Sequence, residues 1–174
     1  MRRLWILGLC GMLMLSGCAK KTEVAPESST EVLIGVPSPM QPVKGSEDFK
    51  EIGIFMAAPK QAEQAEYYII DKTLAEIQFH QDNLKFNYRG AQTEEDITGV
   101  YEDRKGDPVR ESITVLDETT EMTIEITVQE GRIALWKWND THYSLYTPGP
   151  IAEADFKKIA SELAASSLEA AKHK

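Results

Sequence analysis

The sequence predicts an α+β domain: an antiparallel β-sheet of six to eight strands, built from meander hairpins, with a short N-terminal helix and a C-terminal amphipathic helix packed on one face. Three observations lead to this class. Apolar and polar residues alternate in several runs between residues 66 and 146, turn-forming residues separate these runs, and apolar residues near the C-terminus recur at helical spacing. We expect a single domain over residues 46–174.

The N-terminal residues 1–17 differ in composition from the rest of the chain. Arg2 and Arg3 precede an apolar run over residues 4–15, and the small residues Ser16 and Gly17 follow it. This is the layout of a secretory signal peptide. The run corresponds to roughly 18 Å of helix, whereas the hydrocarbon core of a bilayer is about 30 Å thick. The segment therefore predicts a cleaved signal rather than a permanent membrane span.

The end of this segment, Leu15-Ser16-Gly17-Cys18, resembles the lipobox of bacterial lipoproteins at all four positions. The resemblance implies that a diacylglyceryl group is attached to Cys18, that the chain is cleaved before it, and that the protein is lipid-anchored on the extracytoplasmic face of the cell membrane. Two acyl chains hold a protein stably, whereas one binds only marginally. The alternatives are an ordinary cleaved signal with an incidental cysteine, or an uncleaved anchor.

Cys10 and Cys18 are the two cysteines of the chain. If Cys10 leaves with the signal and Cys18 carries lipid, the mature protein has no free thiol. This expectation excludes disulfides, cysteine-bound metals and thiol catalysis.

Residues 18–45 are predicted to be the lipidated cysteine and a flexible linker rich in proline, serine and threonine. Within them, residues 31–36 are apolar enough to form a short docking strand. Lys20 and Lys21 follow the anchor directly, where they could attract anionic headgroups or simply be solvated.

The predicted domain is acidic. The whole chain has 19 basic and 28 acidic side chains and a formal net charge of −9, and residues 46–174 contain 14 basic and 25 acidic ones, so 14 − 25 = −11. Nucleic-acid binding requires clustered lysine and arginine, so we exclude it as a function. We expect the membrane as one partner, through the lipid anchor, and either an unidentified protein or a small apolar ligand as the other.

The first half of the domain is predicted to form a helix and a three-stranded meander. Residues 46–48 have N-terminal helix chemistry and Gly53 can end that helix. Strands follow over residues 66–70, 75–80 and 84–89, where apolar residues alternate with polar ones.

The second half is predicted to form another meander and the closing helix. A weaker strand at residues 113–116 precedes strands at 122–128, 132–138 and 143–146, and the helix covers residues 151–172. Residues 90–107, between the two meanders, are mostly polar.

Two parts of the chain resemble a domain of unknown function found in lipoproteins of Gram-positive bacteria and in extracytoplasmic regions of anti-sigma-factor proteins. The C-terminal part is Ile133-Ala-Leu-Trp-Lys-Trp-Asn-Asp-Thr-His-Tyr-Ser-Leu-Tyr146, followed by Ile159-Ala-Ser-Glu-Leu163. The N-terminal part comprises Tyr68-Ile-Ile-Asp, Ala75-Glu-Ile-Gln-Phe, Tyr88-Arg89 and Asp96-Ile-Thr-Gly-Val-Tyr101. The family's usual turn glycine is replaced here by Asp140-Thr141-His142. The resemblance implies a tethered extracytoplasmic domain and carries over no catalytic residue.

Nothing in the sequence matches a reactive motif, so we predict that the protein is not an enzyme and uses no cofactor. His80 lies on the polar face of a predicted strand, His142 in a turn and His173 in the tail, without the spacing of a metal site. No G-x-S-x-G, P-loop or G-x-G-x-x-G sequence occurs. A serine triad assembled from distant positions is the remaining enzymatic alternative.

Acidic residues cluster in the polar connection between the two meanders. They are Glu94, Glu95, Asp96, Glu102, Asp103 and Asp107. Such oxygens can bind Ca²⁺, but the spacing and glycine of a calcium loop are missing, which favours a solvated loop and no metal.

Trp136 and Trp138 share one face of a strand with Ala134 and are the candidate ligand-binding residues. Two large rings beside a small residue can line a groove for an apolar ligand or anchor a partner protein, and the alternative is that they form core under the closing helix. The predicted function is a membrane-tethered, non-enzymatic binding, sensing or protein-interaction module. The alternative function is a carrier or sensor of a lipid-like apolar ligand in a curved-sheet cavity.

Overall fold

A computed structural model describes residues 39–172 of the chain. The predicted signal peptide, Cys18, most of the predicted linker and His173 lie outside the described residues. The strands are β1 Met40–Val43, β2 Glu63–Ile70, β3 Leu74–Gln81, β4 Leu84–Ala91, β5 Val109–Val115, β6 Glu118–Ile126, β7 Arg132–Trp138 and β8 Thr141–Thr147. A 3₁₀ helix spans Ser46–Ile52, and the helix α1 spans Glu153–Lys172.

The eight strands form one open antiparallel sheet in the order β1-β2-β3-β4-β8-β7-β6-β5. Strands β1–β4 and β5–β8 are two four-stranded meanders, joined in the middle of the sheet where β4 pairs with β8. The antiparallel sheet and the C-terminal helix confirm the predicted α+β class. Strands β1 and β5 are the two edges of the sheet among the described residues.

Tight two-residue turns connect several neighbouring strands. Both residues of Asp82-Asn83 and of Leu116-Asp117 have positive φ angles, 51° and 62° in the first turn and 49° and 68° in the second. Turns of this type match the twist of antiparallel strands, and aspartate and asparagine adopt them readily. Leucine does not adopt positive φ angles readily, so Leu116 gives no turn signal in the sequence. For this reason the sequence predicts that the strand continues through Leu116.

The two faces of the sheet differ in chemistry. One face is apolar and is covered by α1 and by the segment that follows the 3₁₀ helix. Its fully buried large side chains are Tyr88, Tyr143, Phe49, Phe79, Phe86, Phe156, Ile54, Ile77, Met122, Leu145 and Leu163. The opposite, polar face contacts residues 92–108, which we call the crossing segment because they connect the central strand β4 to the edge strand β5.

Strand β1 lies inside the range that the sequence predicts as linker, so the sheet begins at Met40 rather than after residue 45. Its partner is β2, with Pro42 opposite Tyr68. Proline lacks the N–H that a ladder requires and is tolerated on an edge strand, where one side of the backbone needs no partner. The proline content that favoured a linker is therefore compatible with this position in the sheet.

Two further local features position the chain. Gly53 ends the 3₁₀ helix in the left-handed conformation at φ 74°, and Phe49 from that helix is buried in the core. His142, which the sequence places in a turn, lies instead in β8, because the turn ends at Asp140 and pairing begins at Thr141 opposite Trp138.

None of the helices within residues 39–172 is long and apolar enough to cross a bilayer.

Candidate binding cleft

A cleft of about 690 Å³ lies between the crossing segment and strands β6, β7 and β8 on the polar face of the sheet. Alternation along the strands determines which side chains reach it. Thr123 and Glu125 of β6 and Leu135 and Lys137 of β7 face the cleft, while their neighbours in sequence face the core. His142 of β8 completes this floor.

The lining of the cleft is rich in carboxylates. Seven acidic residues line it, namely Glu94, Glu95, Asp96, Glu102, Asp103, Glu121 and Glu125. The cations in the lining are Arg104 and Lys137, so the cleft has an excess of negative charge. Field lines concentrate in a cleft of one sign of charge, which raises the local concentration of oppositely charged ligands.

At one end of the cleft, Glu94 of the crossing segment contacts two strands. Its Oε1 accepts a hydrogen bond from Lys137 Nζ at 3.0 Å and lies 3.3 Å from His142 Nε2. The hydrogen bond and charge of Lys137, with a smaller contribution from His142, lower the pKa of Glu94 below its usual 4.5. Glu94 is 83% exposed, so water screens these contacts.

At the other end, the crossing segment is attached through Arg104 and Glu102. Arg104 Nε donates to Glu125 Oε2 at 2.7 Å, and Arg104 forms an isolated antiparallel bridge with Thr127. Tyr146 donates from its hydroxyl to Glu102 Oε1 at 3.3 Å. Burial, and then the charge of Glu102, raises the pKa of Tyr146.

Between these ends, a buried ion pair under the crossing segment fixes its path. Glu76 of β3 is fully buried and accepts a hydrogen bond from Arg89 Nε of β4. Arg89 also donates from Nη1 to the Ile97 carbonyl at 3.2 Å. Gly99 has a φ of 64°, and a Cβ at this position would overlap the Arg89 guanidinium. Only glycine combines that backbone conformation with such a close approach.

The structure places Trp136 and Trp138, the candidate ligand-binding residues, against α1. Each ring is at most 4% exposed. Trp136 Nε1 donates to Ser167 Oγ at 3.3 Å, and Trp138 Nε1 donates to the Ala164 carbonyl at 2.8 Å. This position agrees with the alternative in which the two tryptophans form core under the closing helix. Both tryptophans are therefore packed under α1, and Trp136 also contributes to the lining of the cleft on the other side of the sheet.

Strand order also decides which tyrosines join the tryptophans. Trp136 stacks on Tyr143 with ring centroids 5.6 Å apart and on Tyr88 at 5.7 Å, while Tyr146 faces the polar side. The Tyr143 hydroxyl donates to the Phe55 carbonyl at 3.0 Å, and burial raises its pKa to about 12. Burial also raises the pKa of Tyr88 well above its usual value. These phenols stay neutral and fill the space between α1 and the sheet.

The remaining candidates do not converge on one centre within residues 39–172. His80 lies on β3, far along the polar face from His142 on β8, and Asp107 does not line the cleft. No group of three or more histidine, aspartate or glutamate side chains in this part of the chain could hold a metal ion.

Sequence reasoning did not single out the basic residues that organise the cleft, Arg89, Arg104 and Lys137. The position of Lys137 could have been predicted from the sequence. It lies between Trp136 and Trp138, so strand alternation places it on the face opposite the indoles. For Arg89 and Arg104 the partners are 13 and 21 residues away in sequence, and only the folded chain shows them.

No family model, no curated protein and no solved structure matches this chain.

Proposed function

We propose that this protein is a lipid-anchored extracytoplasmic lipoprotein whose domain is a non-enzymatic binding and protein-interaction module, with the cleft as its binding surface. The Leu15-Ser16-Gly17-Cys18 sequence supports the anchor. The domain comprises the sheet, α1 and the short N-terminal helix predicted within residues 46–53. The observation that carries the proposal is the cleft, since concave surfaces with converging polar groups are the usual binding sites of proteins.

The charge of the cleft indicates the class of partner. Seven carboxylates against two cations favour a cationic ligand, such as a protein segment rich in lysine and arginine. Three of the carboxylates, those of Glu94, Glu121 and Glu125, already pair with basic residues of the domain. Glu95 and Asp103 are exposed in the crossing segment and can contribute to an incoming cation directly.

The alternative, a carrier of a lipid-like ligand, has less support. It requires space between the sheet and its covering helix, where Tyr88, Trp136, Trp138 and Tyr143 are packed together. Native mass spectrometry of the protein from its producing cell tests this alternative, because a reproducible added lipid mass would favour it.

Binding in the cleft is testable with charged peptides. We expect a lysine-rich decapeptide to bind the full chain, measured by isothermal titration calorimetry, and to lose affinity as salt is raised, because the contacts are electrostatic. Replacing Glu95 and Asp103 together by lysine should weaken binding by about tenfold or more.

A matched double variant controls for net charge. Glu51 and Glu162 are also exposed but lie outside the cleft, on the 3₁₀ helix and on α1. Glu51→Lys with Glu162→Lys should leave peptide affinity nearly unchanged. Equal losses in the two double variants would show that binding follows total charge, and the cleft would no longer be the proposed site.

The lipid anchor is tested at Cys18. Cys18→Ser should leave an unprocessed precursor that takes up no fatty-acid label, because serine offers no thiol for the thioether. A labelled product of mature size from this variant would disprove the anchor assignment.

A further inference from the structure

We propose that the edge of β5 that residues 39–172 leave unpaired binds β5 of a second copy of this chain, in antiparallel orientation about a two-fold axis at Ser112. The two sheets would then continue across the interface. The edge lies on the outer side of β5, away from β6, its one strand neighbour in the described part of the chain. This interaction surface is separate from the cleft.

The register of β5 shows which backbone groups point to the free edge. Val115 pairs with Glu118 across the two-residue turn Leu116-Asp117, so this pair exchanges both of its hydrogen bonds. Hydrogen-bonded pairs alternate with non-hydrogen-bonded pairs along the β5–β6 ladder. In the non-hydrogen-bonded pairs, the β5 residue directs its N–H and C=O away from β6, toward the free edge. These outward residues are Arg110, Ser112 and Thr114, all exposed.

The opposite edge of the sheet is built differently. Asp71 donates its N–H to the Pro39 carbonyl at 3.0 Å, and by the same alternation the nitrogen of Pro42 faces away from β2. A proline nitrogen carries no hydrogen, so this edge lacks a donor at that point. Strand β5 contains neither proline nor glycine, so it keeps a complete outward row and is the edge suited to pairing.

The sequence of β5 is complementary to itself in the proposed register. With Ser112 opposite Ser112 of the second copy, Arg110 lies opposite Thr114 and Glu111 opposite Ile113, so like charges do not face each other. The outward groups of Arg110, Ser112 and Thr114 would make about six backbone hydrogen bonds.

The apolar residues at the ends of β5 fit the same register. Val109, which is 44% exposed, falls opposite the partly buried Val115 of the second copy, and Leu116, which is 56% exposed, comes beside Pro108. Pairing would therefore cover apolar surface that the single domain leaves in water. One strand pair buries less than the roughly 1,200 Å² of a stable complex, so we expect a weak dimer that concentration promotes.

Disulfide trapping on the purified full chain in mild detergent tests the register. Ser112→Cys places two thiols on the two-fold axis, where paired Cα atoms are about 5.5 Å apart and within disulfide reach. Mild oxidation should then give a covalent dimer. Thr114→Cys is the matched control on the same exposed face, since the two copies of this residue would be about 14 Å apart. We expect at least about fivefold more covalent dimer from Ser112→Cys than from Thr114→Cys. The unaltered chain gives the amount of dimer that Cys10 and Cys18 form by themselves.

A second change tests the hydrogen bonds themselves. Adding Thr114→Pro to Ser112→Cys removes one outward N–H and should abolish the covalent dimer, while Thr114→Ala should preserve it. Both variants lose the hydroxyl hydrogen bond between Thr114 and Thr119, and the Thr114 N–H points away from β6, so their thermal unfolding transitions should match each other.

Two outcomes would overturn the proposal. Equal dimer yields from Ser112→Cys and Thr114→Cys would show that the disulfides form by random collision. A covalent dimer that survives Thr114→Pro would show that strand pairing is not the contact.

Discussion

The Glu76–Arg89 ion pair is the residue-scale feature that most directly shapes the cleft. Glu76 is fully buried, so its carboxylate requires a close cationic partner, and Arg89 supplies it while also binding the Ile97 carbonyl. One guanidinium thereby connects β3, β4 and the crossing segment. The wall of the cleft depends on an arginine that does not itself line the cleft.

Gly99→Ala tests this close approach. The added methyl group would overlap the Arg89 guanidinium and must also adopt a φ of 64°, so we expect the free energy of unfolding to fall by about 2–4 kcal/mol. Gly106→Ala is the matched control, since its φ is 74° but no atom lies within 4 Å of a new Cβ. It should cost only about 1–2 kcal/mol for the backbone conformation. Urea unfolding measures both, and equal losses would contradict the packing role of Gly99.

At the scale of elements, two segments differ from what local sequence favours. The crossing segment has few apolar residues. Ion pairs near its two ends and the hydrogen bond from Arg89 to the Ile97 carbonyl in its middle hold it on the polar face. Strand β1 contains Pro42 and is stabilised by pairing with β2 and not by its own β-propensity. Both segments obtain their structure from contacts with distant parts of the chain.

The contribution of β1 is measurable by truncation. A fragment beginning at residue 37 retains β1, whereas one beginning at residue 46 exposes the edge of β2 and loses cover over its side chains. We expect both fragments to unfold cooperatively, because the buried core residues all follow β1, from Phe49 onward, and are present in both. The longer fragment should be more stable by about 1–3 kcal/mol. Thermal unfolding followed by circular dichroism compares them. Identical midpoints would show that β1 adds nothing to the fold.

At the scale of the whole molecule, the aromatic side chains between α1 and the sheet link the two meanders. Tyr88 comes from the first meander, Trp136 and Tyr143 from the second, and the three rings stack on one another. Aromatic pairs of this kind add to the energy of apolar burial. The junction between β4 and β8 is therefore packed on the helix side as well as hydrogen-bonded within the sheet.

This packing predicts a loss of stability at high pH. The pKa of Tyr143 is about 12 in the folded domain, above its ordinary value of 10.0 in the unfolded chain. The contribution of this pKa difference to the free energy of unfolding is therefore complete below pH 10.0 and is lost as the pH rises through about 12. Tyr88 acts in the same direction. We expect the urea midpoint to fall between about pH 9 and about pH 11.5.

Tyrosine variants identify the source of that pH dependence. Tyr143→Phe removes one buried phenol and should flatten the decline, although it also loses the hydrogen bond to the Phe55 carbonyl. Tyr101→Phe is the control, because its side chain is 99% exposed and loses almost no surface on folding. A decline that is as steep in Tyr143→Phe as in the unaltered domain would assign the effect to other groups.

Periodicity in the sequence was sufficient to predict the α+β class, most of the strands and the closing helix. Strand β7 was predicted with its observed bounds, and α1 to within two residues at its start. These elements are predictable because alternation and helical spacing are local consequences of having one buried face. The resemblance of residues 15–18 to a lipobox likewise depends on neighbouring residues alone, and the lipidation of Cys18 stays a prediction.

Strand order, the cleft and the environment of the tryptophans depend on the tertiary structure. Periodicity shows that Trp136 and Trp138 share a face, but only the pairing of β7 with β8 and the position of α1 place that face in the core. Glu94 meets Lys137 and His142 across 43 and 48 residues. Local sequence reports which side of an element is buried, whereas the partner on that side is determined by the packing of the whole chain.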